Sequence, residues 1–416
     1  MKVLHVAGSF YPGLYYGGPI HTNRHLCAGL SALGVKCVVV TTDANGQDRL
    51  GPACRGWATL DGSKVFYARR WTRPDIAPSL FREFCRVLPS ANVVHATGTY
   101  NWFLPLIARK CRQEGKPLVV SSHGSLMPEA RNRNARKKQL YDLLLGTTAL
   151  HRATGFHATS EDEAEAIKSL IPGARVTVIP NGVVVPAREE STRPAGVPQS
   201  NARYLLYMGR LHPYKQIEKI IHGFAKGTAF GGRPERGDVQ GVSERVHLHP
   251  KAEVDIEHEP ELWIAGDGEE DYKIALGTSA RDAGVMNRVR FLGHIDGVDK
   301  SWVLAHAVAV IQAPKAENFG LVVAEALAHA SPCIVGASLL WGGLRTEDCG
   351  LWVDDSPVAL ASAIEHFMAL PEARRRAMGE RGRAWMVRDF SWESVSKKTL
   401  ALYEQVVQES TRGVAW

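Results

Sequence analysis

Two doubly wound α/β domains are the fold this sequence predicts, and three observations predict it. Short, β-branched apolar runs alternate with amphipathic helical stretches along most of the 416 residues. The alternation breaks in a stretch rich in Pro, Ser, Arg and Ala, and then restarts. Each half opens in the same way, with a strand, a glycine-bearing loop and a helix. Domains are therefore expected over 1–185 and 204–388, with a linker at 186–203 and a closing segment at 389–416 that begins a last helix.

In the first half, the runs at 3–7, 37–41, 93–96, 118–121, 156–159 and 176–179 are short enough and apolar enough for parallel strands buried on both faces. Helical patterns lie between them, as at 21–33 and 102–113. In the second half, strands are expected at 204–208, 262–265, 290–292, 307–312, 334–335 and 351–353, with a helix at 217–225. Two such domains facing across a cleft bind ligands at the carboxyl ends of their strands. The segment 227–259 does not fit. It is polar, holds five glycines, and carries His247, His249 and His258. It reads as a loop excursion rather than a metal site, because three histidines in a loop-like insert are ordinarily surface residues.

Composition excludes several classes. With 45% hydrophobic and 22% charged residues, the chain is neither disordered nor collagen-like. No run approaches the roughly 18 apolar residues of a membrane span, and the first residues turn polar too soon for a secretory signal. A cytoplasmic protein is the expectation. The seven cysteines are scattered and form no Cys-x-x-Cys pair, so neither a disulfide framework nor a zinc site is expected. Between Arg109 and Lys138 there are nine basic residues against two acidic ones, an excess equal to the net charge of the whole chain, +7. Its densest part, Arg131, Arg133, Arg136, Lys137 and Lys138, runs into Leu140, Leu143 and Leu144 as a basic amphipathic helix. That pattern suits a solvated face or an anionic membrane or acceptor surface. Nucleic acid is disfavoured, because no recognition motif accompanies the patch.

The most specific motif is Glu317-Asn318-Phe319-Gly320-Leu321-Val322-Val323-Ala324-Glu325. A strand precedes it and a helix is expected to start near Gly320, so unpaired backbone N–H groups point to where phosphate and sugar oxygens bind. Glu325, in an apolar helix, needs hydrogen-bond donors such as ribose hydroxyls. Gly209-Arg210-Leu211-His212-Pro213-Tyr214-Lys215 follows the first strand of the second half, and its two cations suit a diphosphate. In the first half, Gly8-Ser9-Phe10-Tyr11-Pro12-Gly13 and then Gly17-Gly18 form a glycine-rich loop. It matches neither a dinucleotide fingerprint nor a P-loop. His123 lies in Ser122-His123-Gly124, just past another strand end.

These motifs, in this order and over nearly the whole chain, resemble the retaining GT-B nucleotide-sugar glycosyltransferases with paired glutamates that have seven residues between them, a group that includes many cell-envelope polysaccharide enzymes. The resemblance implies that Arg210 and Lys215 hold the donor diphosphate. It places Glu317 on the transferred sugar and Glu325 on the ribose, with backbone N–H groups of Asn318, Phe319, Gly320 and Leu321 on sugar and phosphate oxygens. Gly17 and Gly18 would lie by the diphosphate, and His123 at the reacting centre. It implies transfer to a glycan or lipid-linked glycan, with no metal and no other cofactor. The cations and the helix terminus would stabilise the leaving diphosphate. The chain departs from the pattern at Gln216, where a Gly commonly follows the lysine, and at Ala313-Pro314 and Ala330-Ser331-Pro332. A nucleotide-sugar epimerase of the same fold, or a catalytically silent nucleotide-sugar-binding subunit, are the alternatives.

Overall fold

The computed structural model describes residues 1–71, 76–132, 134–187, 192–229, 259–315, 317, 319–412, without the side chains of Ala53 and Glu129. Arg133, Asn318 and most of the insert, with its three histidines, lie outside them. The chain divides into two compact units. One comprises Met1–Gly182 with Phe390–Trp416, the other Val183–Asp389.

The first unit is built on strands β1 (Lys2–Ala7), β2 (Lys36–Thr42), β3 (Gly56–Leu60), β4 (Ser63–Ala68), β5 (Val93–Thr97), β6 (Leu118–Ser121), β7 (Gly155–Ala158) and β8 (Val176–Val178). Their order across the sheet is β8-β7-β6-β5-β1-β2-β4-β3, parallel except for the edge hairpin β3–β4. Strands β1, β2, β5, β6 and β7 are almost entirely buried, which is why they read as near-continuous apolar runs. The hairpin was not expected. Its outer strand alternates half-buried and exposed residues, as a sheet edge does, and so lacks the run that marks the central strands.

The last helix, Trp392–Thr411, belongs to this unit, capped by Ser391 Oγ accepting from Ser394 N. It lies against the helix Gly18–Ala32 so closely that a Cβ on Gly29 would sit 2.1 Å from Ser396 Oγ. Its Tyr403 hydroxyl reaches His95 Nδ1 at 2.6 Å beneath the sheet.

The second unit holds β9 (Tyr204–Met208), β10 (Glu261–Ala265), β11 (Val289–Gly293), β12 (Ala309–Gln312), β13 (Cys333–Gly336) and β14 (Gly350–Val353). All are parallel, in the order β11-β10-β9-β12-β13-β14. Read by chain position this is 3-2-1-4-5-6, the doubly wound order whose switch point falls between the first and fourth strands. Leu205, Tyr207, Leu262, Ile264, Ile311 and Ile334 are fully buried against helices that include Ile220, Phe224, Ile364 and Phe367. Each such side chain contributes about 1.5–3 kcal/mol on burial. Both units are thus Rossmann-like lobes, and the loops after β9 and β12 are neighbours at the second lobe's switch point.

Among the described residues no helix is long and apolar enough to cross a membrane.

Candidate functional site

The loop after β9 runs alongside the loop after β10 as a continuation of the sheet. Gly209 N donates to Ala265 O and Leu211 N to Asp267 O, both at 2.9 Å. The approach leaves no room for side chains. A Cβ on Gly266 would stand 1.9 Å from Gly209 O, and one on Gly268 would stand 2.1 Å from Leu211 O. Gly209 and Gly266 also adopt φ of +144° and +146°, a region that side-chain-bearing residues rarely enter.

This loop delivers Arg210 and Lys215. Tyr207 Oη donates to Arg210 O at 3.1 Å, fixing the backbone while the Arg210 side chain stays exposed. His212 then starts a single turn over Pro213–Lys215 by accepting Tyr214 N at its Nδ1. At Gln216 the chain takes φ +51° before the helix Ile217–Gly227. The left-handed conformation that suits glycine is here borne by a glutamine, at a cost of about 1–2 kcal/mol.

The loop after β12 is tied to the first by Lys315 N donating to Tyr214 O at 2.8 Å. Across that tie Lys215 Nζ forms an ion pair with Glu317 Oε2, both side chains only about a quarter exposed. Two residues 102 positions apart in sequence are thereby joined. Phe319 O accepts from Trp341 Nε1 at 2.7 Å, and Gly320, with φ +72°, leads into the helix Leu321–Ala328. Among the described residues no side chain caps this end; Val323 N donates to Gly320 O at 2.9 Å, and the N–H groups ahead of it are the ones a ligand can use.

Glu325 lies on that helix. Its Oε1 pairs with Lys300 Nζ at 2.7 Å, and its backbone carbonyl accepts from His329 Nδ1 at 2.7 Å. A cavity of about 350 Å³ is lined by Arg210, Gly266, Lys300, Val322, Glu325 and His294, among others. Arg210, Lys215, Glu317, Phe319, Gly320, Leu321 and Glu325 thus converge on the carboxyl ends of β9 and β12. Sequence reasoning missed Lys300, which sits in the unremarkable helix Gly297–His306 with no motif around it.

In the first unit, Gly17 and Gly18 open the helix Gly18–Ala32, and both are exposed. The φ of +69° accounts for Gly17. A Cβ on Gly18 would meet nothing within 4 Å and its φ is ordinary, so no contact within the unit requires a glycine there. His123 follows β6, half-buried, with φ +46°. Burial, and next the neighbouring His157, lowers its pKa to about 4, while Glu163 opposes the shift. His5, His95 and His157 are buried nearby and are also held below their usual range, chiefly by burial.

The basic segment departs from expectation. Arg131 pairs with Asp142 at 3.1 Å, and Lys138 Nζ donates to Ala130 O at 2.5 Å while lying over the Tyr100 ring. Only Arg136 and Lys137 of the four described cations are exposed. The leucines beyond them are exposed too, Leu143 by 80% and Leu144 by 64%.

Among the described residues no group of three or more His, Cys, Asp or Glu side chains could hold a metal ion.

Comparison with known proteins agrees with both lobes. Residues 17–182 match the family model "Glycosyl transferase 4-like domain", and residues 238–385 match "Glycosyl transferases group 1". The chain is 30% identical over 261 residues to the D-inositol 3-phosphate glycosyltransferase of Kineococcus radiotolerans, covering 57% of this chain and 53% of that one. It is 29% identical over 216 residues to the GDP-mannose:cellobiosyl-diphosphopolyprenol alpha-mannosyltransferase of Xanthomonas campestris, covering 50% and 52%. These matches span about half the length of the curated relatives. Among solved structures, Anabaena HepE in complex with UDP superposes with a TM-score of 0.67 at 17% identity, over 97% of this chain and all of that one. The sucrose-phosphate synthase of Thermosynechococcus elongatus gives 0.67 at 19% identity, over 98% and 100%. At such identities the structural likeness speaks for the fold.

Proposed function

We propose, from the premise that this chain belongs to the GT-B fold glycosyltransferase superfamily, that it transfers a sugar from a nucleoside-diphosphate sugar to a glycan or lipid-linked glycan with retained anomeric configuration. The observation that carries this reading is the convergence of Arg210, Lys215, Glu317 and Glu325 at one switch point, beside an uncapped helix terminus and a cavity of about 350 Å³.

In the proposed reaction the glycosyl–phosphate bond breaks. Negative charge develops on the diphosphate, and the sugar takes on oxocarbenium character. Arg210 and Lys215 stabilise the leaving diphosphate as fixed cations, without a metal. The Lys215–Glu317 pair poses no obstacle. A partly exposed ion pair is worth on the order of 1 kcal/mol at most, so a dianionic diphosphate can share Lys215 while Glu317 turns to sugar hydroxyls. N–H groups of Asn318, Phe319, Gly320 and Leu321 bind sugar and phosphate oxygens, and Glu325 binds the ribose, with Lys300 holding its carboxylate. Gly17 and Gly18 let backbone approach the diphosphate. His123, neutral at physiological pH, is assigned to the reacting sugar on the family resemblance.

The donors named for similar proteins, UDP-glucose and GDP-mannose, define the first probes. The acceptor of the Xanthomonas enzyme supports a lipid-linked acceptor and a place in polysaccharide biosynthesis. Peripheral attachment to the cytoplasmic face of an anionic membrane fits Arg136 and Lys137 beside the exposed Leu143 and Leu144.

A panel of UDP-, GDP- and ADP-sugars tests the proposal by thermal stabilisation and slow donor hydrolysis. A ligand at a hundred times its dissociation constant adds about 2.7 kcal/mol. Retention is read from the anomer released. No stabilisation by any of the panel overturns the reading.

A further inference from the structure

Ser160-Glu161-Asp162-Glu163 has the sequence of a capping box, in which a serine caps a helix and a glutamate three residues on reaches back to the serine's own N–H. The structure uses half of it. Ser160 Oγ accepts Glu163 N at 3.2 Å and caps the helix Glu161–Leu170. The Glu163 carboxylate goes elsewhere.

Its two oxygens divide the work. Oε2 accepts from Thr159 N and from Thr159 Oγ1, each at 2.7 Å. Oε1 leaves its own element and accepts from Ser122 Oγ and Gly124 N, each at 2.5 Å. The side chain is wholly buried. A buried carboxylate is tolerable only when its oxygens are hydrogen-bonded, and here four donors serve them. Burial resists ionisation, but the bonds from Ser122, Gly124 and Thr159 together outweigh it and hold the carboxyl below its usual pKa.

The two donors to Oε1 flank His123. That residue sits at φ +46°, a conformation a side-chain-bearing residue rarely keeps unless its surroundings impose it. A charged anchor on both sides of the turn is such an imposition. Helix capping does not call for it, since Ser160 already caps and Oε2 already serves Thr159.

We infer that Glu163 is a positioning residue for the proposed transfer: its buried carboxylate clamps the Ser122 hydroxyl and the Gly124 backbone N–H and so fixes the left-handed His123. The inference rests on the reading that His123 acts at the reacting sugar. A misplacement of about 1 Å in such a group can cost about 100-fold in rate.

The test is Glu163→Gln, which keeps the shape but turns one acceptor oxygen into an NH2 group facing two of the four donors, a hydroxyl that can turn round and a backbone N–H that cannot. Turnover is read as hydrolysis of the best donor among UDP-, GDP- and ADP-sugars, and nucleotide affinity as calorimetric binding of the matching nucleoside diphosphate. We expect kcat to fall about 100-fold, with KM and nucleotide affinity within about twofold of wild type. Backbone hydrogen exchange over 122–126 should accelerate at least tenfold. The exposed neighbour Glu161→Gln controls for loss of helix charge and should leave all three unchanged. If Glu163→Gln does not fold, Ser122→Ala carries the test and should lower kcat about tenfold with KM unchanged. His123→Ala separates the failures. A large loss in His123→Ala beside normal turnover in Glu163→Gln or Ser122→Ala overturns the clamp alone. Normal turnover in His123→Ala overturns the His123 assignment and the clamp with it.

Discussion

Replacing Lys215 by alanine should separate catalysis from stability, because the structure assigns the two effects very different sizes. Among the described residues the side chain makes one ion pair, to Glu317, and both partners are about a quarter exposed. Such pairs contribute on the order of 0–1 kcal/mol, and water can solvate the carboxylate left behind. For a unit of about 200 residues that corresponds to a drop in Tm of roughly 2–4 °C or less. The proposed role is larger. Removing one preorganised group that stabilises developing charge costs roughly 100- to 1,000-fold in kcat, about 2.7–4 kcal/mol. Lys215→Ala should therefore lose at least 100-fold in donor turnover while melting within a few degrees of wild type. Steady-state hydrolysis of the preferred nucleotide sugar and a calorimetric melt measure both. Turnover within tenfold of wild type would refute the assignment of Lys215 to the diphosphate. A drop in Tm beyond 10 °C would show that the residue holds the fold instead.

Glu317→Gln should lower turnover with little change in nucleoside-diphosphate affinity, whereas Glu325→Gln should weaken nucleotide binding first; calorimetry beside kinetics distinguishes them, and normal values in both variants would refute the placement. Two histidines, one buried and one half-buried, set a pH dependence: His5 is lowered to about 3 and His123 to about 4, chiefly by desolvation, while the unfolded chain titrates near 6.5. Between those values the unfolded state binds more protons, so stability is full above about pH 6.5 and is lost as pH falls toward 4. Urea midpoints should be lower at pH 5 than at pH 7, with a shallower dependence in His5→Asn, and equal midpoints would refute this. Flotation on phosphatidylglycerol vesicles at low salt should be abolished by Arg136→Ala, Lys137→Ala and Leu143→Asp together; unchanged flotation would remove this segment from membrane attachment.

The central strands were legible because burial on both faces leaves an unmistakable β-branched run, as in Val38-Val39-Val40 or Leu118-Val119-Val120. The hairpin of β3 and β4 lacks that run, and its signal lies instead in the two-residue turn Asp61-Gly62, with both residues at positive φ. Arg210, Lys215, Glu317 and Glu325 could be named because each lies in a short motif beside a strand end. The pairing of Lys215 with Glu317 follows from strand order, which no local pattern reveals. Lys300 and Glu163 were not legible as site residues. One stands in an ordinary helix, and the other is disguised as a helix cap. Two of the four described cations of the basic segment proved engaged, because Asp142 and the Ala130 carbonyl come within reach only once the helices fold together.

The close approach at Gly266 and Gly268 bears on how this pocket can change. A methyl group at Gly266, which lines the cavity, or at Gly268 beyond it would collide with a main-chain carbonyl, so both positions are obliged to remain bare backbone. At Gly266 the lining offers a ligand only peptide N–H and C=O groups. Differences in what the pocket accepts must then be written in lining residues that carry side chains, such as Asp267, His294, Ile295 and Val322. An effort to redirect the chain toward another nucleotide should randomise those four positions and leave the glycines untouched.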